Sequence, residues 1–208
     1  QGNSHFKFGV IVGGKSQGQV VVRLKPTVIG PDSSINCHAA TFIFNGIVGS
    51  GGITPANTAE ANGIGMLIDG TLGDAGVQNS KFYFGEINYC KVGLYLKNKV
   101  LGNTFESPWF HNSATAIQVG EVSTGSTVVS NMFTGVIGAC DTGVQVFGKN
   151  NIFILNIGEG SPNRSIVFES SASGNLFMSS YLPGGFSNYS STPTNRIIAS
   201  RPIGYEVV

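Results

Sequence analysis

The chain has 208 residues, of which 41 % are apolar and only 11 % charged, and its formal net charge is +1. This near-neutral charge, without a cluster of Lys or Arg, argues against nucleic acid or an anionic membrane surface as a partner. No apolar run reaches the eighteen residues that a membrane-spanning helix requires, so we expect no membrane insertion.

The composition favours an all-β protein. Thirty glycines, many Ser, Thr and Asn, and no long amphipathic helix pattern are typical of short strands joined by tight turns. Residues 1–40 contain short strands with irregular spacing, such as residues 20–24. Residues 50–61 read as an insertion, which we expect to form a surface loop, and residues 121–126 read as a smaller one. The chain begins with Gln, and we expect it to be a fragment of a longer protein.

One short phrase recurs between residues 80 and 177. Four copies have Asn two residues before Phe, and an earlier copy has Ser in place of Asn: Ser80-Lys-Phe82, Asn103-Thr-Phe105, Asn131-Met-Phe133, Asn151-Ile-Phe153 and Asn175-Leu-Phe177. The Phe positions differ by 23, 28, 20 and 24 residues. A repeat of this length with two apolar strands per unit predicts a β-solenoid with about 20–28 residues per coil.

A second strand follows each of the first four Phe residues and alternates between an inward and an outward face. Its copies are Gly93-Leu-Tyr-Leu96, Ala116-Ile-Gln-Val119, Gly143-Val-Gln-Val146 and Ser165-Ile-Val-Phe168. The second and fourth residues of each copy share one face, which we expect to be the core. Tyr95, Gln118, Gln145 and Val167 then point outward, mostly to solvent.

The repeated Asn and Cys positions predict two more columns in the stack. Asn103, Asn131, Asn151 and Asn175 would lie about 4.8 Å apart, which allows their amides to form a hydrogen-bonded ladder. Cys90 and Cys140 share a second column, two layers or about 9–10 Å apart. Because a disulfide needs Cα atoms within about 7 Å, we expect free, buried thiols. No metal site is expected, because the histidines do not cluster in sequence.

The composition changes after Phe177. We therefore assign residues 1–178 to the solenoid, with irregular first coils over 1–40 and regular coils over about 40–178. Residues 179–208 are predicted to be a loop-rich segment with one short strand at residues 196–199, packed on the solenoid or on a partner subunit. The last residues, 205–208, carry no polar cap, so we expect further chain or a partner to cover this end.

Two carboxylates are the candidates for catalysis, because the chain has no P-loop and no Gly-x-Ser-x-Gly. Glu86 lies four residues past Phe82, and Glu106 lies one residue past Phe105. This offset of three residues separates them by about 10 Å along adjacent strands. With the side chains leaning inward, the carboxyl groups approach the spacing of about 6.5–9.5 Å that an inverting glycosidase uses. The alternative is that both are solvated surface acids.

Aromatic and amide side chains are the candidates for carbohydrate binding. Tyr95, Trp109, His111 and Gln118 fall on neighbouring coils. Outward aromatic rings stack well against the C–H faces of sugars. For Trp109 the alternatives are a place in the core or in a subunit interface.

The coil pattern resembles the right-handed parallel β-helix of the pectate-lyase-like superfamily, over roughly residues 40–178. The segments that carry this likeness are Gly65-Met-Leu-Ile-Asp-Gly70, Gly93-Leu-Tyr-Leu96, Ala116-Ile-Gln-Val119 and Gly143-Val-Gln-Val146. The Asn/Ser/Gly-rich, low-charge texture is most similar to bacteriophage tailspikes and tail fibres. That resemblance implies a homotrimer in the virion tail or outside the cell that binds, and in some cases cleaves, a bacterial surface polysaccharide without a cofactor. No catalytic motif of the family is present.

Three functions therefore stay open at this point. The first is a receptor-binding spike that recognises, and in some cases depolymerises, a surface glycan. The second is a stand-alone microbial polysaccharide lyase or hydrolase. The third is a structural solenoid shaft without a glycan site.

Overall fold

The computed structural model describes residues 4–13, 19–26, 37–49, 63–70, 76–122, 127–158, 163–191 and 194–199. The strands within these ranges are β1 (His5–Val12), β2 (Gln19–Leu24), β3 (Cys37–His38), β4 (Thr41–Val48), β5 (Gly63–Asp69), β6 (Val77–Gln78), β7 (Lys81–Phe84), β8 (Ile87–Asn88), β9 (Val92–Lys97), β10 (Val100–Leu101), β11 (Thr104–His111), β12 (Thr115–Val119), β13 (Val128–Val129), β14 (Met132–Ile137), β15 (Thr142–Val146), β16 (Ile152–Ile157), β17 (Arg164–Phe168), β18 (Leu176–Ser179), β19 (Phe186–Asn188) and β20 (Arg196–Ala199). The expected insertion at 50–61, residues 123–126 of the expected smaller loop, and residues 205–208 lie outside the described residues.

The strands form three sheets in which neighbouring strands run parallel. Sheet A has the order β1-β4-β7-β11-β14-β16-β18-β20, with β8 beside β4 and β11. Sheet B has the order β2-β5-β9-β12-β15-β17-β19, and sheet C has the order β3-β6-β10-β13. From β1 to β14 the chain passes from sheet A to B to C and returns to A one strand further on, and we call each such passage a coil. In the two coils that follow, single bridges at Lys149 and Ser173 take the place of a strand in sheet C. This all-β, parallel arrangement is consistent with the β-solenoid that the repeat predicts.

The interior of the stack contains two columns of phenylalanine rings on sheet A. The longer column places each ring over the one in the next coil, with centroids 4.8 to 5.1 Å apart from Phe6 to Phe153 and 6.2 Å between Phe153 and Phe177. A shorter column contains Phe8, Phe44 and Phe84. The predicted core positions are confirmed, because Phe82, Phe105, Phe133, Phe153 and Phe177 are all at most 1 % exposed. Each stacked pair adds about 0.5–1.5 kcal/mol to the gain from burial.

The predicted asparagine ladder is present at the corner before sheet A. The Nδ2 of Asn103 donates to the Oδ1 of Asn131 at 3.0 Å, and the bonds continue from Asn131 to Asn151 and from Asn151 to Asn175 at 3.1 Å. Two further residues extend it. Asn195 accepts from Asn175 at 2.9 Å, and the backbone N–H of Ser80 donates to Asn103.

The residue before each ladder position from Ser80 to Asn175 has a left-handed backbone, and so does the residue at the same corner one coil before Ser80. These residues are Ala39, Asn79, Gly102, Ser130, Asn150 and Gly174, with φ between 49° and 66°. Asn and Gly adopt this conformation at the lowest cost, which explains why they dominate the corner. The corner and the ladder together fix the register of sheet A.

The cysteine column lies at the second corner, between sheets A and B. The backbone N–H of Cys90 donates to the Oγ of Ser113 at 3.3 Å, and the thiols of Cys90 and Cys140 donate to the carbonyls of Asn88 and Gly138. Cys90 and Cys140 are free and buried, as expected, and Cys37 is free and partly buried. Burial raises the pKa of both Cys90 and Cys140 to about 12, so these thiols stay protonated and unreactive.

The second strand of each coil forms sheet B with the predicted alternation. Leu94, Ile117, Val144 and Ile166 are fully buried, and Tyr95 lies opposite Gln118 on the outward face. Val167 differs from the expectation, because it points outward but is only 6 % exposed. Stacking also continues past residue 178, since β19 pairs with β17 and β20 pairs with β18. The strand predicted at residues 196–199 is β20.

Candidate functional site

The outer wall of sheet A is interrupted by a β-bulge in β11. Ser107 lies opposite Gly135 and Phe110 lies opposite Ile137, so Pro108 and Trp109 together oppose the single residue Val136. The extra residue changes which side chains point outward. Phe110 is buried at 1 % exposure, whereas Trp109 is 42 % exposed. The bulge therefore holds an indole ring on the surface, and Trp109 is not part of this chain's core.

Histidine 111 connects Trp109 to a carboxylate. The rings of Trp109 and His111 meet edge to face, with centroids 5.5 Å apart. The Nε2 of His111 lies 3.5 Å from the Oε2 of Glu86, and its Nδ1 lies 2.8 Å from the Nδ2 of Asn112. Because the Asn112 amide nitrogen donates to Nδ1, the proton of the neutral ring is on Nε2 and faces Glu86.

The electrostatic environment of His111 favours the neutral ring. Burial lowers the pKa of His111, and the hydrogen bond and charge of Glu86 oppose this effect without overcoming it. The imidazole is therefore uncharged at neutral pH. Its Nε2–H donates a hydrogen bond to the Glu86 carboxylate and so orients it.

Tyr89 lies at the corner next to this cluster in a strained backbone conformation. Its φ is 56°, and its ring centroid is 6.3 Å from that of His111. A bulky residue in the left-handed region costs about 1–3 kcal/mol. In the next two coils the same corner is occupied by Asn112 and Ala139, with φ values of 49° and 35°. Tyr89 is thus a large ring at a position where smaller residues suffice.

A groove of about 260 Å³ lies on the same wall, beside the bulge. Tyr83, Glu106, Ser107, Thr134 and Gly135 line it. Gly135 has a φ of 148°, and a Cβ atom there would collide with the carbonyl oxygen of Ser107. The two strands therefore approach too closely at this point for any residue other than glycine.

The two candidate catalytic carboxylates both point outward from sheet A. Glu106 lies opposite Tyr83, three residues before the position opposite Glu86, as the sequence predicts. Glu86 contacts His111, and Glu106 has no hydrogen bond or ion pair with any described residue. We refer to Tyr83, Glu86, Tyr89, Glu106, Trp109 and His111 together as the bulge site.

Tyr95 and Gln118 lie on a different wall, the outer face of sheet B. The Tyr95 hydroxyl donates to the Oε2 of Glu121 at 2.8 Å, and Glu121 also pairs with Lys97 at 3.2 Å. Burial and the Glu121 carboxylate raise the pKa of Tyr95, so its hydroxyl stays protonated as a donor. The six candidate residues therefore divide into four on sheet A and two on sheet B.

Two members of the bulge site, Tyr83 and Tyr89, and the groove residue Gly135 were not among the candidate site residues. Tyr83 could have been found, because it alternates with the buried Phe82 and Phe84 and so must face outward. Tyr89 and Gly135 carry no comparable signal, because their roles depend on a corner and a bulge that the repeat does not predict.

The described residues contain neither a candidate metal site nor a candidate membrane-spanning helix. No group of three or more His, Cys, Asp or Glu side chains in the described ranges is placed to hold a metal ion. No helix within the same ranges is both long and apolar enough to cross a bilayer.

Comparison with known proteins identifies no relative of this chain. No protein-family model, no curated protein and no solved structure matches this chain.

Proposed function

We propose that the chain is a glycan-binding domain of the right-handed parallel β-helix type, similar to bacteriophage tailspikes and tail fibres. Its ligand is a bacterial surface polysaccharide, and it acts in the virion tail or outside the cell. The bulge site on sheet A is the binding surface. The observation that carries the proposal is the exposed indole of Trp109, which a β-bulge holds on the surface beside His111 and Glu86.

The chemistry of the bulge site suits a sugar. The exposed face of Trp109 offers a platform for the C–H face of a pyranose ring. Glu86, which His111 orients, provides a hydrogen-bond acceptor in the neighbouring coil, and the groove next to Glu106 is large enough for one sugar unit. Aromatic stacking with a few oriented polar groups is a common arrangement in small-ligand sites.

Assembly as a homotrimer is part of the proposal and is supported by a second surface. Beyond the bulge, the outer wall of sheet A becomes apolar at Ile152, Ile154, Met178 and Ile198. Ile154 and Ile198 are 45 % and 50 % exposed. We call these four residues the apolar patch. Another copy of the chain would cover it and leave the bulge site free.

Cleavage of the glycan by Glu86 and Glu106 is a second candidate function. The observation that favours it is their placement on the same wall, with Glu86 opposite Trp109 in the coil before and Glu106 three residues earlier in β11. In this reaction one carboxyl protonates the glycosidic oxygen and the other activates water.

A glycan array combined with a reducing-sugar assay tests both functions. We expect array binding by the chain and a loss of about tenfold or more in affinity for Trp109→Ala, which corresponds to about 1.4 kcal/mol. Tyr189→Ala is the control, because Tyr189 is equally exposed but lies after β19 on sheet B. Release of reducing ends that stops in Glu86→Gln and Glu106→Gln would establish cleavage.

The same experiment also identifies failure. Unchanged binding by Trp109→Ala would exclude the bulge site as the binding surface. A flat array together with a stable trimer in light scattering would replace the proposal with a structural shaft. A monomer at all concentrations would exclude the assigned role of the apolar patch.

A further inference from the structure

The bulge site has a negative local charge in a chain whose net charge is +1. Its two ionisable acids are Glu86 and Glu106. Glu106 forms no ion pair with any described residue. Lys81 is the closest lysine in register, opposite Thr104, and no ion pair joins it to either carboxylate within the described residues.

The charge of Glu86 is also uncompensated. Its ion-pair contact is with His111, at 3.5 Å. Because burial lowers the pKa of His111, the ring is neutral at neutral pH and donates a hydrogen bond without cancelling the charge. Both acids therefore remain available to a positively charged ligand.

Asn88 lies beneath the site. It is 5 % exposed, and its side-chain amide lies 3.4 Å from the Nε2 of His111. Because that nitrogen carries the proton of the neutral ring, the amide oxygen of Asn88 is the atom that can accept from it. The polar network beneath the site is therefore satisfied within the chain, and Glu86 and Glu106 are the charged groups that face a ligand.

The exposed aromatic ring fits the same kind of ligand. A cation over the face of an indole gains about 0.5–2 kcal/mol through the ring quadrupole. An acidic sugar such as a uronic acid would instead bring its carboxylate close to Glu86 and Glu106, and like charges repel.

We propose that the bulge site selects a sugar unit carrying a free, protonated amino group. The ammonium is held between the Trp109 ring and the carboxylates of Glu86 and Glu106, and the ring carbons lie in the groove beside Gly135. This inference rests on the proposed glycan-binding function and specifies its ligand class.

The test compares two forms of one ligand. Chitosan oligosaccharides, which carry free amines, are titrated into the chain by calorimetry at about pH 6, where most of these amines are protonated and Glu carboxylates are ionised. The same oligosaccharides after complete N-acetylation are the matched neutral ligand. We expect the free-amine form to bind at least about tenfold more tightly, a difference of about 1.4 kcal/mol.

Substitutions then locate the preference. Glu106→Gln and Glu86→Gln should each lower the ratio of the two affinities several-fold. Glu169→Gln, an equal charge change on sheet B, should leave the ratio unchanged. Far-UV circular dichroism verifies that each variant is folded.

The outcomes separate this inference from the proposed function. Equal or tighter binding of the N-acetylated form, or a preference that survives both substitutions, overturns the inference. Array binding confined to acidic or neutral glycans overturns it as well, while the proposed function stands. Absence of binding to every glycan overturns both.

Discussion

The side-chain oxygen of Asn151 accepts two hydrogen bonds from Asn131, one from its backbone N–H at 3.0 Å and one from its Nδ2 at 3.1 Å. The Nδ2 of Asn131 also donates to the carbonyl oxygen of Val100 in the coil before. A single buried amide therefore connects three successive coils. Water cannot replace these bonds, because Asn131 is 1 % exposed and Asn151 is fully buried.

We expect Asn131→Ala to destabilise the chain strongly. It removes the ladder bonds on both sides and leaves the backbone N–H of Asn103 without its acceptor. Each unsatisfied buried group costs about 1–3 kcal/mol, so we expect a loss of about 3 kcal/mol or more in urea unfolding. Asn156→Ala is the control, since Asn156 is exposed, and its effect should stay within about 0.5 kcal/mol. A loss below about 1 kcal/mol for Asn131→Ala would contradict the role of the ladder.

Gly135→Ala should close the groove and destabilise the bulge. The new Cβ would collide with the Ser107 carbonyl, and the φ of 148° is one that L side chains rarely adopt. We expect a cost of about 1–3 kcal/mol and weaker glycan binding. Gly158→Ala is the matched control, because a Cβ there meets its nearest atom, in Val136, at an ordinary 3.4 Å. If Gly135→Ala and Gly158→Ala melt at the same temperature and bind glycan equally well, the bulge and the groove do not require glycine at position 135.

Tyr89→Asn should raise stability and lower binding. Asn tolerates the left-handed conformation better than Tyr, and Asn112 already occupies this corner in the next coil. We expect a gain of up to about 1 kcal/mol, which shifts Tm upward by about 2–4 °C in a chain of this size. Differential scanning calorimetry measures the stability of the variant, and titration calorimetry measures its glycan binding. A variant that is stabilised but binds glycan normally would show that Tyr89 is not part of the site.

The stability of the chain should fall as the pH decreases below the ordinary histidine range, in part because of His111. Its folded-state pKa lies below the unfolded value, so the unfolded chain binds the proton more readily. The folded state is fully favoured above about pH 6.5 and loses this advantage as the pH falls toward the lowered pKa. Thermal melts between about pH 7.5 and pH 5 should show a steeper decline for the natural chain than for His111→Gln. Equal slopes would show that His111 does not contribute.

The regular part of the fold could be predicted from the sequence, because identical residues recur where the geometry recurs. Phe105 and Phe133 stack because they occupy the same position in adjacent coils, and the Asn column follows from the same phase. Asn195 lies only two residues before Ile197, the partner of Phe177, but its copy of the phrase lacks Phe. The ladder is therefore longer than the visible phrase.

The site could be predicted only in part. Alternation within a strand separates inward from outward side chains, but each of the three sheets has its own outward face. Tyr95 and Trp109 both point outward, and they lie on different walls. The bulge that exposes Trp109 depends on a one-residue difference between β11 and β14, which the apolar pattern does not show.

The ladder also determines how a protein of this kind can change its length. Every bond between two ladder side chains runs in the same direction along the stack, from Asn103 toward Asn195. Removal of residues 131–150 would bring Asn103 against Asn151 and Phe105 against Phe153, with each acceptor again meeting its donor. The addition or loss of a single residue at the corner would break that match. Such a chain tolerates growth by duplication of whole coils, and the distance from the bulge site to either end can change without a new design of the core.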